Sequence, residues 1–597
     1  MMKKSVRIGG AGGFWGDSVG AMEQLVTMGE VDYIISDYLA ELTMAILAKA
    51  RARDPGLGYA TDFVGLSLKP VLHEVMRRGI RIVVNAGGMN PRGCADALRA
   101  LATRVGVSLR IGVVEGDDLM AREAELRAAG TREMFTGAPL PETITSMNAY
   151  IGAFPIAEAL ARGADIVVTG RCADSALVLG PLIHEFGWTP TDYDRLAAGT
   201  LAGHLIECGT QVTGGLFTDW RLVEGRADMG FPIAECFADG TFALTKPPGT
   251  GGLITPTGAA EQMLYEVGDP RNYLLPDVTA DLSEVTIAED GADRVLFSGV
   301  RGRPPTDSYK VSATYPDGYR ATAMLTMVGR DAAQKADLIG AAIIERTANL
   351  FRAANLGPYA ETNIEALGSE VASFGAGARR SDAREVVLRV SVRHPEEKAI
   401  NIFAREIAPF GTGGTPGTTG FSGRPKPQAV YRLFSFLVPK SDLAITVTVD
   451  DETLLHRIAP TDAWVAPGQA AAAPSAPNDG PTVIRPLRSI AMARSGDKAD
   501  ISHLAIIARH PDFYPLLRQA VTPEVVGRHL AHLVKGRIDR YDVPGVKAVN
   551  FMLHQALGGG GTASLRNDAL GKAFAEITLD LDIEIPAAWA DRPDLAA

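Results

Sequence analysis

Cysteine is scarce in this chain: Cys94, Cys172, Cys208 and Cys236 are the only four among 597 residues. They lie far apart with no CxxC pair, so neither a disulfide framework nor a cysteine zinc site is encoded, and a reducing compartment is expected. Long apolar runs are missing as well. No stretch approaches the ~18 residues a membrane span needs, and the mean hydropathy is only +0.06. Basic blocks are also lacking, and the net charge is −11, from 59 basic and 70 acidic residues. A nucleic-acid partner is therefore disfavoured, because phosphate contacts need a positive footprint. A local positive site could still hold a small anion. The opening MMKKSVRIGGAGGFWG reaches glycine too early for the apolar stretch of a signal peptide. The expectation is a cytoplasmic homo-oligomer that acts on small molecules, with no membrane partner.

Glycine, by contrast, is abundant: 64 residues in 597, against a usual share of ~7%. No Gly-X-Y period accompanies it, so the glycines belong to turns, close packing points or ligand-facing loops. Over the first ~190 residues, short β-branched runs alternate with helical stretches. Strands are expected at Val6–Ile8, Val31–Ile35, Arg81–Val84, Leu109–Val114 and Asp165–Val168. Helices are expected at 21–28, 41–51, 72–78, 95–104, 120–129 and 157–162. Strands apolar on both faces indicate an α/β fold with a doubly wound, mostly parallel sheet.

From about Thr191 to Lys310 the chain reads as turn-rich, with one helix at Ala259–Glu266. A long helix at Asp331–Ala354 and strands at Glu385–Arg393 and Leu443–Val449 suggest an α+β middle region. The main domain is thus 1–459, with subdomains of about 1–310 and 311–459. Residues 460–481, containing APGQAAAAPSAPNDGP, read as a linker. The remaining module, 482–597, reads as a small α+β sandwich. It opens with a strand at Thr482–Ala493, continues through helical stretches to about Val534, returns to a strand at Val546–Leu553, and closes with the alternating ITLDLDIEI.

Ligands of doubly wound sheets bind beyond the carboxyl ends of the strands, and polar or glycine-rich loops recur there. The first strand leads into Gly9-Gly10-Ala11-Gly12-Gly13, where Gly10, Gly12 and Gly13 could admit a substrate oxygen. A dinucleotide fingerprint is broken by Trp15. The second strand leads to Asp37, with Glu41 four residues on. If both lie on one helical face, they could divide acid and base roles or hold a divalent cation; N-capping and a solvated first turn are the plainer alternative. Asn85, Gly87 and Gly88 follow the third strand, Glu115 to Asp118 the fourth, and Arg171, Asp174 and Ser175 the fifth. Arg171 suits a carboxylate or phosphate and Asp174 a proton transfer, although an Arg171–Asp174 ion pair with Ser175 capping a helix explains the same residues.

Two histidines stand near an acid: His184 before Glu185, and His204 three residues before Glu207. Of these, His204 is the candidate base. The GTGG loops at 249–252 and 411–414 lack a P-loop lysine. In the C-terminal module, RSGDKAD (494–500) is expected to join a strand to a helix, and Gly558–Gly561 with Arg566 and Asp568 forms a second polar candidate.

Several of these segments occur together in a known pattern: IGGAGGFWGD (8–17), YLAELTM (38–44), VNAGGMNP (84–91), VTGRCADSALVLGPLIHEFGW (168–188), HLIECGTQVTGG (204–215), EQMLYEVGDPRNYLLPDV (261–278) and SGDKAD (495–500). They resemble the acyclic terpene utilisation protein A family, also catalogued as DUF1446. Two departures are Cys172 for valine and Ala499 for a glycine, the latter bearing on any glycine-dependent backbone geometry. The resemblance implies a ferredoxin-like C-terminal module and a catabolic setting in branched acyl-CoA breakdown; it carries over no catalytic residues.

Together these readings point to an enzyme of branched or terpenoid acyl-CoA or hydroxy-acid catabolism doing proton-transfer chemistry such as hydration or dehydration. Asp37, Glu41, Asp174 and His204 are its acid/base candidates. Arg171, Ser175, Asn85 and the glycine loops are its substrate-binding candidates. The CoA thioester or carboxylate is the substrate, and no cofactor or metal-ligand set is read, although Mg²⁺ on Asp37 and Glu41 is conceivable as a lyase alternative. A non-catalytic acyl-CoA-binding scaffold is the rival class.

Overall fold

The computed structural model describes residues 5–468, 480–561, 563–592 and 595. Five parallel strands form its centre: β1 (Ser5–Gly10), β2 (Tyr33–Ser36), β3 (Arg81–Val84), β4 (Ile111–Glu115) and β6 (Ile166–Thr169), ordered β1-β2-β3-β6-β4. Alternate residues of these strands feed two separate cores. Tyr33, Ile35, Val83, Val114 and Val167 enter the core on one face, while Ile34, Ile82, Val84, Val113, Ile166 and Val168 enter the other. That two-sided burial is why the strands read as unbroken apolar runs.

The helices α1 (Ala21–Met28), α2 (Glu41–Arg53), α3 (Leu72–Arg78), α4 (Pro91–Val105), α5 (Glu123–Ala128), α6 (Phe154–Ala161), α7 (Ala176–Phe186) and α8 (Tyr193–Ile206) follow in chain order. Four of the first five expected strands end one or two residues later than read, and α1 and α3 lie where expected. The helix read at 95–104 begins earlier, at Pro91. Asn90 caps it by accepting the Gly93 N–H at 3.0 Å, and proline sits at a position that needs no donor.

The stretch read as turn-rich contains α8 and a hairpin, β7 (Ile233–Phe237) and β8 (Phe242–Thr245), that pairs antiparallel with β1. Further antiparallel strands on both flanks bring the sheet to eleven. The parallel portion is thus its core and not most of its width. The segment β5 (Ser146–Ala149) leaves this sheet to pair with a 21-residue strand, Ser308–Val328. That strand also pairs with Glu385–His394 and Gln428–Pro439, and Ala332–Ala353 packs on the sheet so formed.

The C-terminal module contains a four-stranded antiparallel sheet built from Ala491–Lys498, Ile501–Ala508, Ala548–Leu553 and Ile538–Val543. Three expectations change here. The opening strand is two, Thr482–Pro486 and Ala491–Lys498, with a 3₁₀ turn between. RSGDKAD is the tip of a β-hairpin and does not lead into a helix. In ITLDLDIEI only Asp582–Pro586 is strand, because Phe574–Leu579 forms a helix buried on most sides. Its period-2 pattern therefore recorded near-complete burial.

The module shares its core with the main region: Ala505, Ile507, Val543 and Ala548 lie in the same cluster as β1 and α8. The Arg509 guanidinium forks onto Asp219 at 2.6 and 2.7 Å. Asn550 donates to the carbonyls of Val267 and Gly268. The first part of the expected linker lies along the main region, with Asp462 bonded to Tyr193, whereas residues 469–479 fall outside the described residues.

Candidate functional site

At the carboxyl end of β1, the glycine loop carries the end of α8 against it. A Cβ on Gly10 would stand 2.4 Å from the Ile206 carbonyl oxygen, and one on Gly13 would stand 2.8 Å from the Cys208 Cα. Gly12 holds φ +133°, where a side chain is strained. These glycines admit a backbone, and by doing so they bring His204 and Glu207 to the ends of the parallel strands.

Asp37 lies just beyond β2, and its N–H donates to the Gly12 carbonyl at 3.2 Å. Its carboxylate accepts from Asn85 Nδ2 and from the Leu39 N–H, and Asn85 Oδ1 accepts the Tyr38 N–H at 2.7 Å. Asn85 is fully buried, and its role is to fasten this turn. Gly87 and Gly88 are shaped by packing, since a Cβ would meet Thr169 O at 2.5 Å or Leu47 Cδ1 at 2.4 Å. Burial, reinforced by the negative charge of Asp174, raises the Asp37 pKa well above the usual carboxylate range. A cavity of about 180 Å³ opens beside it, walled by Asp37, Tyr38, Phe14, Asp17, Asp62 and Ser67.

Glu41 does not share a helical face with Asp37. Helix α2 begins at Glu41, after an extended Ala40, so neither the paired-carboxylate helix nor an Asp37 N-cap forms. Glu41 turns to Tyr150, whose hydroxyl donates to it at 2.9 Å. Burial alone would raise its pKa, but Lys310 and Arg171 overcome that and hold it near 2. The Tyr150 ring packs against two cations, Arg171 at 4.2 Å and Lys310 at 5.1 Å. Two carboxyl groups four residues apart thereby have their pKa values shifted in opposite directions.

Arg171 is buried and ion-paired with Asp174 at 2.6 Å, the salt bridge that the plainer reading expects. Its backbone N–H donates to Asp117 Oδ2 at 2.8 Å, which also accepts from Asn148 Nδ2 at 2.8 Å. Burial pushes the Asp117 carboxyl up to about 7. Ser175 occupies the N-cap position of α7 without a side-chain cap bond. It packs under Gly203, where a Cβ would lie 2.7 Å from the Ser175 Cα.

His204 is buried in α8, with Nδ1 3.2 Å from Glu207 Oε1 and its ring edge-on to Tyr273 at 5.7 Å. Among the described residues its Nε2 has no hydrogen-bond partner. Burial lowers the imidazole's pKa, yet the bond to Glu207 outweighs it and leaves the net shift upward. Burial raises Glu207 to about 7 against the opposing pull of His204. Asp174 and Asp37 are within electrostatic reach of this pair, so the structure gathers Asp37, Glu41, Arg171, Asp174 and His204 at one edge of the sheet.

Other sequence candidates lie elsewhere. His184 sits beside Arg81, and Glu185 accepts from the Tyr33 hydroxyl, at the amino end of the strands. The GTGG loop at 249–252 closes on its own lysine: Lys246 Nζ bonds the Thr250 carbonyl and Asp293, each at 2.9 Å. The loop at 411–414 lies against the second sheet. Gly558–Gly561 packs under the C-terminal hairpin tip, with Asp500 accepting from the N–H groups of Leu557 and Gly559. Asp568 accepts the Lys572 and Ala573 N–H groups at the start of a helix.

Two groups near this edge had no local signal: Tyr150 follows the unread β5, and Lys310 sits inside the long strand, whereas Lys498 belongs to the RSGDKAD segment already singled out. Among the described residues, no group of three or more His, Cys, Asp or Glu is arranged to hold a metal ion.

Compared with known protein families, residues 6–449 match the model described as acyclic terpene utilisation family protein AtuA, and residues 485–584 match the AtuA ferredoxin-like domain. No curated protein and no solved structure matches.

Proposed function

This chain belongs to the acyclic terpene utilisation family AtuA, and from that premise we propose that it is a catabolic enzyme adding water to, or removing it from, a branched acyl substrate. The observation that carries the reading is that neighbouring carboxyl pKa values are pushed in opposite directions at the carboxyl edge of the sheet. Burial raises Asp37 well above the usual carboxylate range, Lys310 and Arg171 hold Glu41 near 2, and Glu207 titrates near neutrality against His204. Environments that push neighbouring carboxyl pKa values apart supply an acid and a base at one pH.

In the hydration direction, Glu207 with His204 takes a proton from water as its oxygen bonds to the β-carbon of an α,β-unsaturated acyl group. Asp37 delivers a proton to the α-carbon. Dehydration runs the same transfers in reverse, and Glu207 and Asp37 exchange roles as proton donor and acceptor. The Arg171–Asp174 pair and Tyr150 fix the positions of the charges around them, and Ser175 and Asn85 shape the walls. A branched acyl-CoA or the corresponding acid is the substrate class, and the reaction needs no resident cofactor.

The test is a mass-resolved assay of the purified full chain against enoyl- and hydroxyacyl-CoA esters and their free acids, in ¹⁸O-labelled water, with and without a chelator. One pair gaining or losing 18 or 20 mass units on the order of 10²-fold faster than with Asp37→Asn is the expected result. No water exchange across the panel would sink the reaction class.

A further inference from the structure

Four proline-bearing loops, at Pro276-Asp277, Pro305-Thr306-Asp307, Pro439-Lys440-Ser441 and Pro460-Thr461, enclose a cavity of about 470 Å³ that the acid–base scheme leaves unused. Tyr309 lines it, while the next residue, Lys310, stacks on Tyr150. Successive side chains of a strand point to opposite faces, so the cavity lies behind this strand and apart from the candidate site. Six prolines line it together with Phe154, Tyr309 and Ile458. A proline ring carries no N–H and loses no rotamer freedom on contact, so these walls are apolar and set in shape. Small-molecule sites have this volume, and they combine such walls with a few polar groups.

The polar groups here are of both signs. Lys440 Nζ donates to the Pro276 carbonyl at 2.6 Å. Among the described residues it has no other partner, so two of its three donors are unspent. That carbonyl immediately precedes Asp277, yet the Lys440 and Asp277 side chains form no ion pair. Asp277 Oδ2 instead accepts the Ala153 N–H at 2.7 Å. Its Oδ1 accepts nothing among the described residues and rests against Gly152, another wall residue, where a Cβ would clash with it. Burial raises the Asp277 pKa and lowers that of Lys440, and each group opposes the shift of the other. Arg457 and Asp307 are exposed at the mouth, and His456 is bonded through Nδ1 to Glu158 at 2.7 Å. The lining is therefore balanced in charge. A simple anion drawn to Lys440 meets Asp277, and a simple cation drawn to Asp277 meets Lys440. A ligand that answers both carries an oxyanion and a cationic N–H donor side by side on an apolar body.

We propose that this cavity is a binding site for an apolar α-amino acid in its zwitterionic form, with the carboxylate on Lys440, the ammonium on Asp277 and the side chain against the proline and aromatic walls. The site goes beyond the proposed reaction and does not rest on it, since its occupancy is read with no acyl substrate present.

The experiment is calorimetric titration of the full chain with L-phenylalanine and with its two half-ligands, 3-phenylpropanoate and 2-phenylethylamine. The parent is compared with Lys440→Gln and Asp277→Asn, each checked for an unchanged unfolding midpoint. An asparagine oxygen can still accept the Ala153 N–H, and a glutamine amide can still donate to the Pro276 carbonyl, so both variants keep the local bonds and lose the charge. L-Phenylalanine is expected to bind saturably in the parent, at least about tenfold more tightly than either half-ligand, with Kd raised about tenfold or more in each variant. No saturable binding, a half-ligand as tight as the amino acid, or a Kd unchanged in either variant overturns the proposal. The comparison of whole and half ligands needs only the parent protein, so it decides the matter even where a variant fails to fold.

Discussion

Replacing Asp117 with asparagine isolates the electrostatic cost of the residue that holds the Arg171 loop. The carboxyl is 3% exposed, and Oδ2 accepts two N–H groups, from Asn148 and from Arg171, each at 2.8 Å. An asparagine oxygen can accept both, so the substitution removes the titration and keeps the geometry. Burial raises the pKa from 3.8 to about 7. A carboxyl whose folded value is raised contributes stability that is full below its unfolded pKa and is lost as pH rises through the folded value. Linkage across that interval gives the parent a loss of roughly 2–3 kcal/mol between about pH 5 and 8 from this group alone. In Asp117→Asn that contribution is absent. Denaturant unfolding of both proteins at constant ionic strength over this range reads the difference, because other titrations cancel. Their stability gap should open in favour of asparagine as pH rises and level off beyond pH 7. Parallel curves would refute the assignment. Asp117→Ala serves as the control: it strands two buried donors and should be destabilised by about 2 kcal/mol or more at every pH.

Two further substitutions test the backbone. Gly10→Ala drives a methyl group to 2.4 Å from the Ile206 carbonyl oxygen. It should cost about 3 kcal/mol or more, seen as a lower unfolding midpoint; a midpoint equal to the parent's would show that the loop and α8 are not in contact. Ala499 holds φ +56° in the hairpin tip, the left-handed conformation that glycine adopts without strain. Ala499→Gly should therefore stabilise the chain by about 0.5–1 kcal/mol, and a loss of stability would mean that the tip is built differently.

The elements read most closely are those whose burial is decided by near neighbours. The strand Arg81–Val84 and the helix Ala21–Met28 coincide with their expected spans. The strand is an apolar run after a single charge, and the helix is an amphipathic stretch between two glycines. Helix α8 was not read, although 11 of its residues from Leu196 to Ile206 are buried. A helix enclosed on nearly all sides has no polar face, so the 3.6-residue period that announces an amphipathic helix is missing. The same loss of contrast turned Phe574–Leu579 into an apparent strand. Gly199 and Gly203 obscured α8 further: they read as turn residues, whereas each lets a neighbour approach, Leu179 at 2.8 Å and Ser175 at 2.7 Å from a would-be Cβ.

The candidate site divides along the same line. Asp37, Arg171 and Asp174 were found because each follows its strand directly, and the carboxyl ends of parallel strands face one way. What they do could not be read from position, since it depends on partners distant in sequence. The Asp37 pKa is raised because burial and Asp174 act on it, and that of Glu41 is lowered because Lys310 and Arg171 do, across more than a hundred residues. Glycine abundance marked the right loops for a different reason than substrate access, because Gly10 and Gly13 make room for the end of α8. That packing brings Glu207 within electrostatic reach of Asp37, so the glycines act on the candidate site by position. Lys498 lies in RSGDKAD, which stands out in the sequence, but as a hairpin tip and not at the expected strand-to-helix turn. The expected linker suggests an appended module, but shared burial of Ala505 and Val543 with the main core makes the hairpin part of the same body. A group on it is then held against the main region as firmly as the core itself.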